Sequence, residues 1–300
     1  MKLVFFGTPA DAVPSLEALH AAGHEVALVV TQPDRRRGRG TEPSPSPVRA
    51  AAEALGLAVR TPEKSREVVD EVAAAGAELG VVVAFGQLLP SALLDAVPRG
   101  FVNVHFSLLP RWRGAAPVER AVLAGDRETG VCIMALEEGL DTGPVYARER
   151  TPIGPQETAG ELRARLVVLG TDLLVTTLPR ISELRPEPQV GEPTYADKLN
   201  VDEFALDWSQ SADDLARVVR AGNPRPGAWT TDHGTRLKVW RVRPLSAGID
   251  AEPGTVFGHT RVATGDGALE LVEVQPEGRR SMDANAWLAG RRAPDPLLGT

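Results

Sequence analysis

The sequence predicts an α/β chain, in which a doubly wound and mostly parallel sheet is followed by a small all-β barrel or sandwich. Three observations carry this reading. Short runs rich in Val and Phe alternate with helical patterns over the first half of the chain. A polar stretch punctuated by Pro and Gly then interrupts the pattern near residues 185–200. Beyond it, short strand-like runs follow one another between turn residues.

Taken in order, residues 2–6, 26–31, 79–85 and 101–106 are continuous apolar runs bounded by Gly or Pro, as expected of strands buried on both faces. Residues 11–22, closed by Gly23, read as a helix, and so do 47–55, opened by Ser46 with Pro47 at the first helical position. Alternating strand and helix requires right-handed crossovers, and so parallel neighbours. Strands at 130–136 and 145–151 and a long helix from 159 to about 184 complete a first domain over 1–185. Pro186, Pro188, Gly191 and Pro193 mark 186–205 as a linker. In the second domain, 206–300, a helix at 211–221 precedes strands at 235–242, 254–257, 261–264 and 268–274.

Composition narrows the function. With 33 basic against 40 acidic residues, the 300-residue chain carries a formal charge of −7, which argues against wholesale coating of nucleic acid because phosphate binding draws on clustered Lys and Arg. The 12 basic and 12 acidic residues from Leu206 onward cancel, so the whole of that charge lies on the first 205 residues. One cysteine, Cys132, excludes an internal disulfide framework and a thiolate-rich zinc site, and fits a reducing cytoplasm. No metal-ligand spacing is present, so no metal is expected. Residues 3–6 end at Gly7-Thr8-Pro9, and 79–90 are interrupted by Gly80, Gly86 and Gln87, short of the ~20 residues that span a bilayer, so neither a secretory signal nor a membrane segment is read.

Gly7-Thr8-Pro9 sits at a strand-to-helix turn, but one glycine there does not make a dinucleotide fingerprint, and Pro9 removes an amide that would face a pyrophosphate. Asn103-Val104-His105 is more informative. Residues i and i+2 of a strand share a face, so Asn103 and His105 project together at the carboxyl end of a parallel strand, where open α/β sheets bind ligands. Gly139-Leu140-Asp141-Thr142-Gly143 is a glycine-flanked acidic loop between two strands, able to bring Asp141 beside His105. An amide donor for a developing oxyanion, an imidazole for proton transfer and a carboxylate to orient it suit acyl transfer to an amine. No serine or cysteine nucleophile accompanies them, which favours direct transfer over an acyl-enzyme.

Asn103-Val104-His105, the run from Ser107-Leu108-Leu109-Pro110 through Arg111-Trp112-Arg113-Gly114-Ala115-Ala116-Pro117, and Gly139 to Gly143 resemble the folate-dependent formyltransferases, most closely those that act on methionyl-tRNA. The resemblance extends over nearly the whole chain. It takes in Thr31-Gln32-Pro33-Asp34, Pro45-Ser46-Pro47-Val48, Tyr195-Ala196-Asp197-Lys198-Leu199 and Asn223-Pro224-Arg225-Pro226-Gly227.

That resemblance implies a Rossmann-like catalytic domain and an oligonucleotide-binding (OB)-like C-terminal barrel that contacts tRNA. It implies transfer of the formyl group of 10-formyltetrahydrofolate to the free α-amine of initiator methionyl-tRNA. Asn103, His105 and Asp141 map onto the family's catalytic set. Phe85, Gly86, Gln87, Leu88, Leu89 and Pro90, with Ser107, Leu108, Leu109 and Pro110, map onto its folate-binding runs, although Leu88, Leu89, Leu108 and Leu109 also read as ordinary core. Arg35, Arg36, Arg37 and Arg39 form the densest basic cluster and match the loop that enters the tRNA acceptor end; Arg111 and Arg113 add to the same field. A formyltransferase of amino-sugar nucleotides, or a formyltetrahydrofolate hydrolase, would share the Asn, His and Asp set, and a noncatalytic RNA-binding protein would be expected to have lost one of them.

Overall fold

The computed structural model describes residues 1–36, 43–246, 250–291 and 297–299. The chain divides into two compact units, one formed by Met1–Pro117, Glu128–Pro152 and Arg163–Ala196, the other by Val118–Arg127, Ile153–Leu162 and Asp197–Thr300.

The first unit is built on a seven-stranded sheet of β1 (Lys2–Gly7), β2 (Glu25–Val30), β3 (Val59–Arg60), β4 (Leu79–Val83), β5 (Phe101–His105), β6 (Glu128–Ala135) and β7 (Val145–Pro152). Their spatial order is β7-β6-β5-β4-β1-β2-β3. The five strands from β1 to β5 run parallel, whereas β6 is antiparallel to both β5 and β7. The order reverses between β1 and β4, the switch point that opens a crevice at the carboxyl ends of the strands. Phe6 anchors the sheet beneath that crevice, with its ring edge-on to Phe85 and Phe101 at centroid distances of 5.2 and 5.5 Å.

Helices α1 (Val13–Ala21), α2 (Pro47–Ala54) and α3 (Val69–Ala74) connect the parallel strands, and α4 (Ala159–Thr177) follows β7. Gly170 lets α4 approach the sheet closely: a Cβ there would lie 2.9 Å from Val104 and 3.1 Å from Val131. This helix stops short of the expected residue 184. Pro179 lacks an amide hydrogen and disfavours helix in the residue before it, so the chain tightens into a 3₁₀ turn at Leu178–Arg180. Similarly, the expected strand 79–85 ends at Val83, because Ala84 and Gly86 adopt φ of +48° and +83°.

Glu161 and Thr158 cap α4 reciprocally. The Thr158 N–H and hydroxyl donate to Glu161 Oε2 (2.9 and 2.8 Å) and the Glu161 N–H donates to Thr158 Oγ1 (3.2 Å). The Thr158 amide and hydroxyl, followed by Arg241, hold the Glu161 carboxyl down from its ordinary 4.5 to about 2. A depressed folded pKa stabilises above the unfolded value and is lost as pH falls through the folded one. Thr158→Ala should therefore cost about 1 kcal/mol in urea unfolding at neutral pH. Glu161→Gln should be slightly less stable than the parent at pH 7, and the two midpoints should converge as pH drops from 4.5 toward 2.

The second unit contains an antiparallel sheet of Ala228–Asp232, Thr235–Leu245, Ala268–Pro276, Arg261–Ala263 and Val256–Phe257 in that order, with Met282–Asp283 paired to Ala268–Pro276. It forms an all-β, barrel-like sheet, as the sequence predicts, with Ala212–Gly222 as its helix. Leu215 and Val219 of that helix share a core with Leu237, Val239, Leu269 and Leu271, and the Trp208 Nε1–H donates to Thr230 Oγ1 at 3.0 Å. The strand Ala228–Asp232 and the helix Ala284–Gly290 were not predicted; the first lies directly behind Pro224, Pro226 and Gly227, and the second has only Ala284 and Trp287 buried. Among the described residues, no helix is long and apolar enough to cross a membrane.

The stretch expected to be a free linker, 186–205, is largely structured. Residues 187–196 belong to the first unit, where Val145 and Glu187 exchange two hydrogen bonds of 2.8 Å and Tyr195–Ala196 pairs in parallel with Arg113–Gly114.

Candidate active site

Asn103 and His105 lie on one face at the end of β5, in register with Met134 and Cys132 of β6. His105 is buried, and its Nε2 is 2.9 Å from the Trp112 carbonyl oxygen. A carbonyl can only accept, so Nε2 carries the hydrogen. The other ring nitrogen, Nδ1, faces Asp141 Oδ2 at 3.6 Å. Asp141 Oδ2 also accepts the Gly114 N–H at 2.8 Å, so the carboxylate is held while it turns toward the ring. The Asn103 amide is partly exposed and makes no hydrogen bond among the described residues, which leaves its N–H₂ available to a ligand.

Backbone conformations that side chains rarely adopt surround these groups. Ala84, Trp112 and Asp141 have φ of +48°, +64° and +52°, each at the end of a strand or in a loop that lines the crevice. Non-glycine residues in this region cost free energy and persist where surrounding contacts fix them. Trp112 is fixed by its N–H donating to Thr194 Oγ1 at 2.9 Å, which aims its carbonyl at His105.

The loop after β4 is held by polar contacts at its start. The Phe85 carbonyl accepts the Thr8 hydroxyl (2.9 Å) and Gln32 Nε2 (2.7 Å), and Gln87 is bonded to the Ser65 N–H through Oε1 (2.8 Å) and to the Glu63 carbonyl through Nε2 (3.3 Å). Leu88 at the tip is 77% exposed, the large apolar side chain there with no cover. Arg35–Arg36 pairs antiparallel with Pro43–Ser44 at the base of the arginine loop. That base is anchored by the Thr31–Ser46 hydroxyl pair (2.7 Å) and by Arg49 Nη1 on Asp34 (2.8 Å). Arg37 and Arg39 lie outside the described residues.

Residues 1–178 match the family model described as formyl transferase, and 198–292 match the one described as its C-terminal domain. The chain is 53% identical to a methionyl-tRNA formyltransferase of Dinoroseobacter shibae, over 98% of this chain and 99% of that one. It is 51% identical to the one from Roseobacter denitrificans, over 99% and 98%. The chain belongs to the formyl transferase family, among the methionyl-tRNA formyltransferases. Among solved structures, an N-formyltransferase from Helicobacter canadensis shares the fold, with a TM-score of 0.68 and 18% identity over 92% of this chain and 99% of that one.

Several residues of the folate-matching runs lie in the interior of the first unit. Phe85 and Leu109 are core residues, with Leu109 packed on Cys132, Met134 and Val145, and the Phe85 carbonyl already accepts two hydrogen bonds. Leu89 also packs against the core. Ser107 is fully buried, and its hydroxyl donates to the Arg111 carbonyl at 2.5 Å, so it shapes the loop rather than meeting solvent. The Arg113 guanidinium, expected at the tRNA, instead donates twice to Gln189 Oε1 (3.0 and 2.7 Å) inside the first unit. Arg111 stacks on the Trp112 ring at 4.4 Å. Burial pushes the Cys132 thiol up, which suits its place in the sheet and not a nucleophile's. Thr8, Gln32, Thr194 and Gln189 hold the site in ways the sequence does not announce, although Thr8 lies in Gly7-Thr8-Pro9 and Gln32 in Thr31-Gln32-Pro33-Asp34.

Proposed function

We propose that this protein transfers the formyl group of 10-formyltetrahydrofolate to the α-amine of methionyl-tRNA. The observation that carries this reading is identity near one half with methionyl-tRNA formyltransferases over almost the whole chain. The convergence of His105 and Asp141 beside the Asn103 amide supports the residue roles. An RNA-binding protein on a dead scaffold has no need of that convergence.

In this mechanism the neutral amine attacks the formyl carbon, forming a C–N bond, and negative charge grows on the formyl oxygen. Asn103 donates its amide N–H to that oxygen. His105 acts through Nδ1 alone, because its Nε2–H is spent on Trp112. Asp141 sets the charge and orientation of the ring and takes part in moving the proton that the amine sheds to the folate nitrogen as the old C–N bond breaks. The exposed Leu88 at the tip of the loop after β4 offers apolar surface to a flat heteroaromatic ring, and Gly86 to Pro90 with Leu108 and Pro110 are the residues assigned to that ring.

The arginine loop supplies tRNA contacts through Arg35, Arg36, Arg37 and Arg39, joined by Arg111 and by the second unit, and the reaction belongs in the cytoplasm with translation initiation. If about five phosphates are neutralised, log affinity for tRNA should fall against log salt with a slope of about −4; a flat dependence would remove tRNA from the proposal. The deciding experiment follows labelled formyl from 10-formyltetrahydrofolate in parallel reactions with methionyl-tRNA, uncharged tRNA, free methionine and an amino-sugar nucleotide. Label should appear on methionyl-tRNA alone. Transfer to the amino-sugar, or formate release without an acceptor, would overturn the assignment.

A further inference from the structure

We propose that Gln189 is a positioning residue for the reaction, the clamp that sets the Asp141 loop against the loop carrying Trp112 and Gly114. This rests on the role given above to His105 and Asp141. The side-chain amide of Gln189 has two donors and two acceptor lone pairs, and all four are used. Nε2 donates to the carbonyls of Asp141 and Gly143, each at 2.8 Å, while Oε1 accepts both Nε (3.0 Å) and Nη2 (2.7 Å) of Arg113.

The partners fix the orientation of the amide without ambiguity, since a guanidinium only donates and a carbonyl only accepts. Arg113 draws electron density toward Oε1 and so strengthens the two N–H bonds on the other side. Those bonds hold the backbone on both sides of Thr142, with Asp141 at its left-handed φ of +52° and the carboxylate returned to the Gly114 N–H. Gly114 directly follows Arg113, so one amide ties together the two segments whose separation sets the distance from Asp141 to His105. No other side chain among the described residues is bonded to both Arg113 and the Asp141 backbone.

Two variants test this. Gln189→Met keeps the length and removes all four bonds. Gln189→Glu keeps the Arg113 contacts but places a carboxylate oxygen against two carbonyls. Each should lower kcat about 10- to 100-fold, the range expected when a reacting group is displaced by up to an ångström. KM for methionyl-tRNA and for the folate co-substrate should stay within about threefold of the parent, with kcat taken per folate-binding site, because an unfolded fraction also lowers apparent kcat at unchanged KM. Combined with Asp141→Asn, either variant should add little further loss, because both act through the same carboxylate. A kcat within twofold of the parent in both variants, a raised KM at unchanged kcat, or a fully additive loss with Asp141→Asn would each overturn the proposal. If Asp141→Asn alone leaves turnover intact, it is the assignment of the catalytic pair that fails, and not the clamp.

Discussion

Asn103→Ala is expected to lower the single-turnover rate of formyl transfer about 100- to 1,000-fold while leaving Kd for both substrates within a few-fold. Removing one donor to a developing oxyanion costs about 2.7–4 kcal/mol of barrier. The side chain is well placed to show this cleanly. It is on a strand buried on both sides, between Val82 and Met134, so the backbone stays put when the amide is removed. Its amide supports no other part of the fold among the described residues, so little is lost besides the bond to substrate. Asn103→Asp should be at least as slow, because a carboxylate then faces the oxygen on which charge accumulates. A rate within threefold of the parent would remove Asn103 from the mechanism.

Gly143→Ala should be nearly as damaging although it deletes nothing. A Cβ at this position would stand 2.0 Å from the Ala135 carbonyl oxygen, and that oxygen is backbone next to the last ladder bond, Ala135 N–H to Pro144 O at 2.8 Å. Neither side can yield by a rotamer change, so the loop has to move. A shift of about an ångström at Asp141 costs on the order of 100-fold in rate, and the strain about 1–3 kcal/mol in stability. Gly23→Ala is the control: its Cβ meets nothing within 4 Å, and the residue lies at the far end of α1. Its cost should appear in the unfolding midpoint and not in the rate. Should Gly143→Ala turn over like the parent, the loop tolerates more displacement than the site geometry allows.

What the sequence conveyed, and what it did not, follows from the kind of signal each feature leaves. The parallel core of the sheet was legible because strands buried on both faces read as unbroken apolar runs. The reversal of β6 was not, since an apolar run looks the same in either direction, and the direction is set by how the chain reaches it. Asn103 and His105 could be paired from the two-residue repeat of a strand, and Asp141 from its flanking glycines. The partner that fixes the proton on Nε2 of His105 could not, because it depends on Trp112 taking φ of +64°, which no residue type advertises. Gln189 was the hardest to see. It sits among Pro186, Pro188 and Gly191, where the absence of apolar periodicity reads as a tether, whereas the segment is held by hydrogen bonds and a two-residue pairing that leave no hydropathy pattern. For the leucines of the folate-matching runs, the core reading already available in the sequence accounts for Leu89 and Leu109, and Leu88 departs from it.

The strap formed by residues 187–196 has a practical corollary for anyone recombining this chain with its relatives. A chimaera joined at the change in composition near residue 185 would import a foreign strap, and with it a foreign residue at position 189 and a foreign hydroxyl at 194 beneath Trp112. Crossover points placed after Ala196 keep those partners native, so grafts differing only in where they are spliced should separate inheritance of acceptor preference from inheritance of turnover.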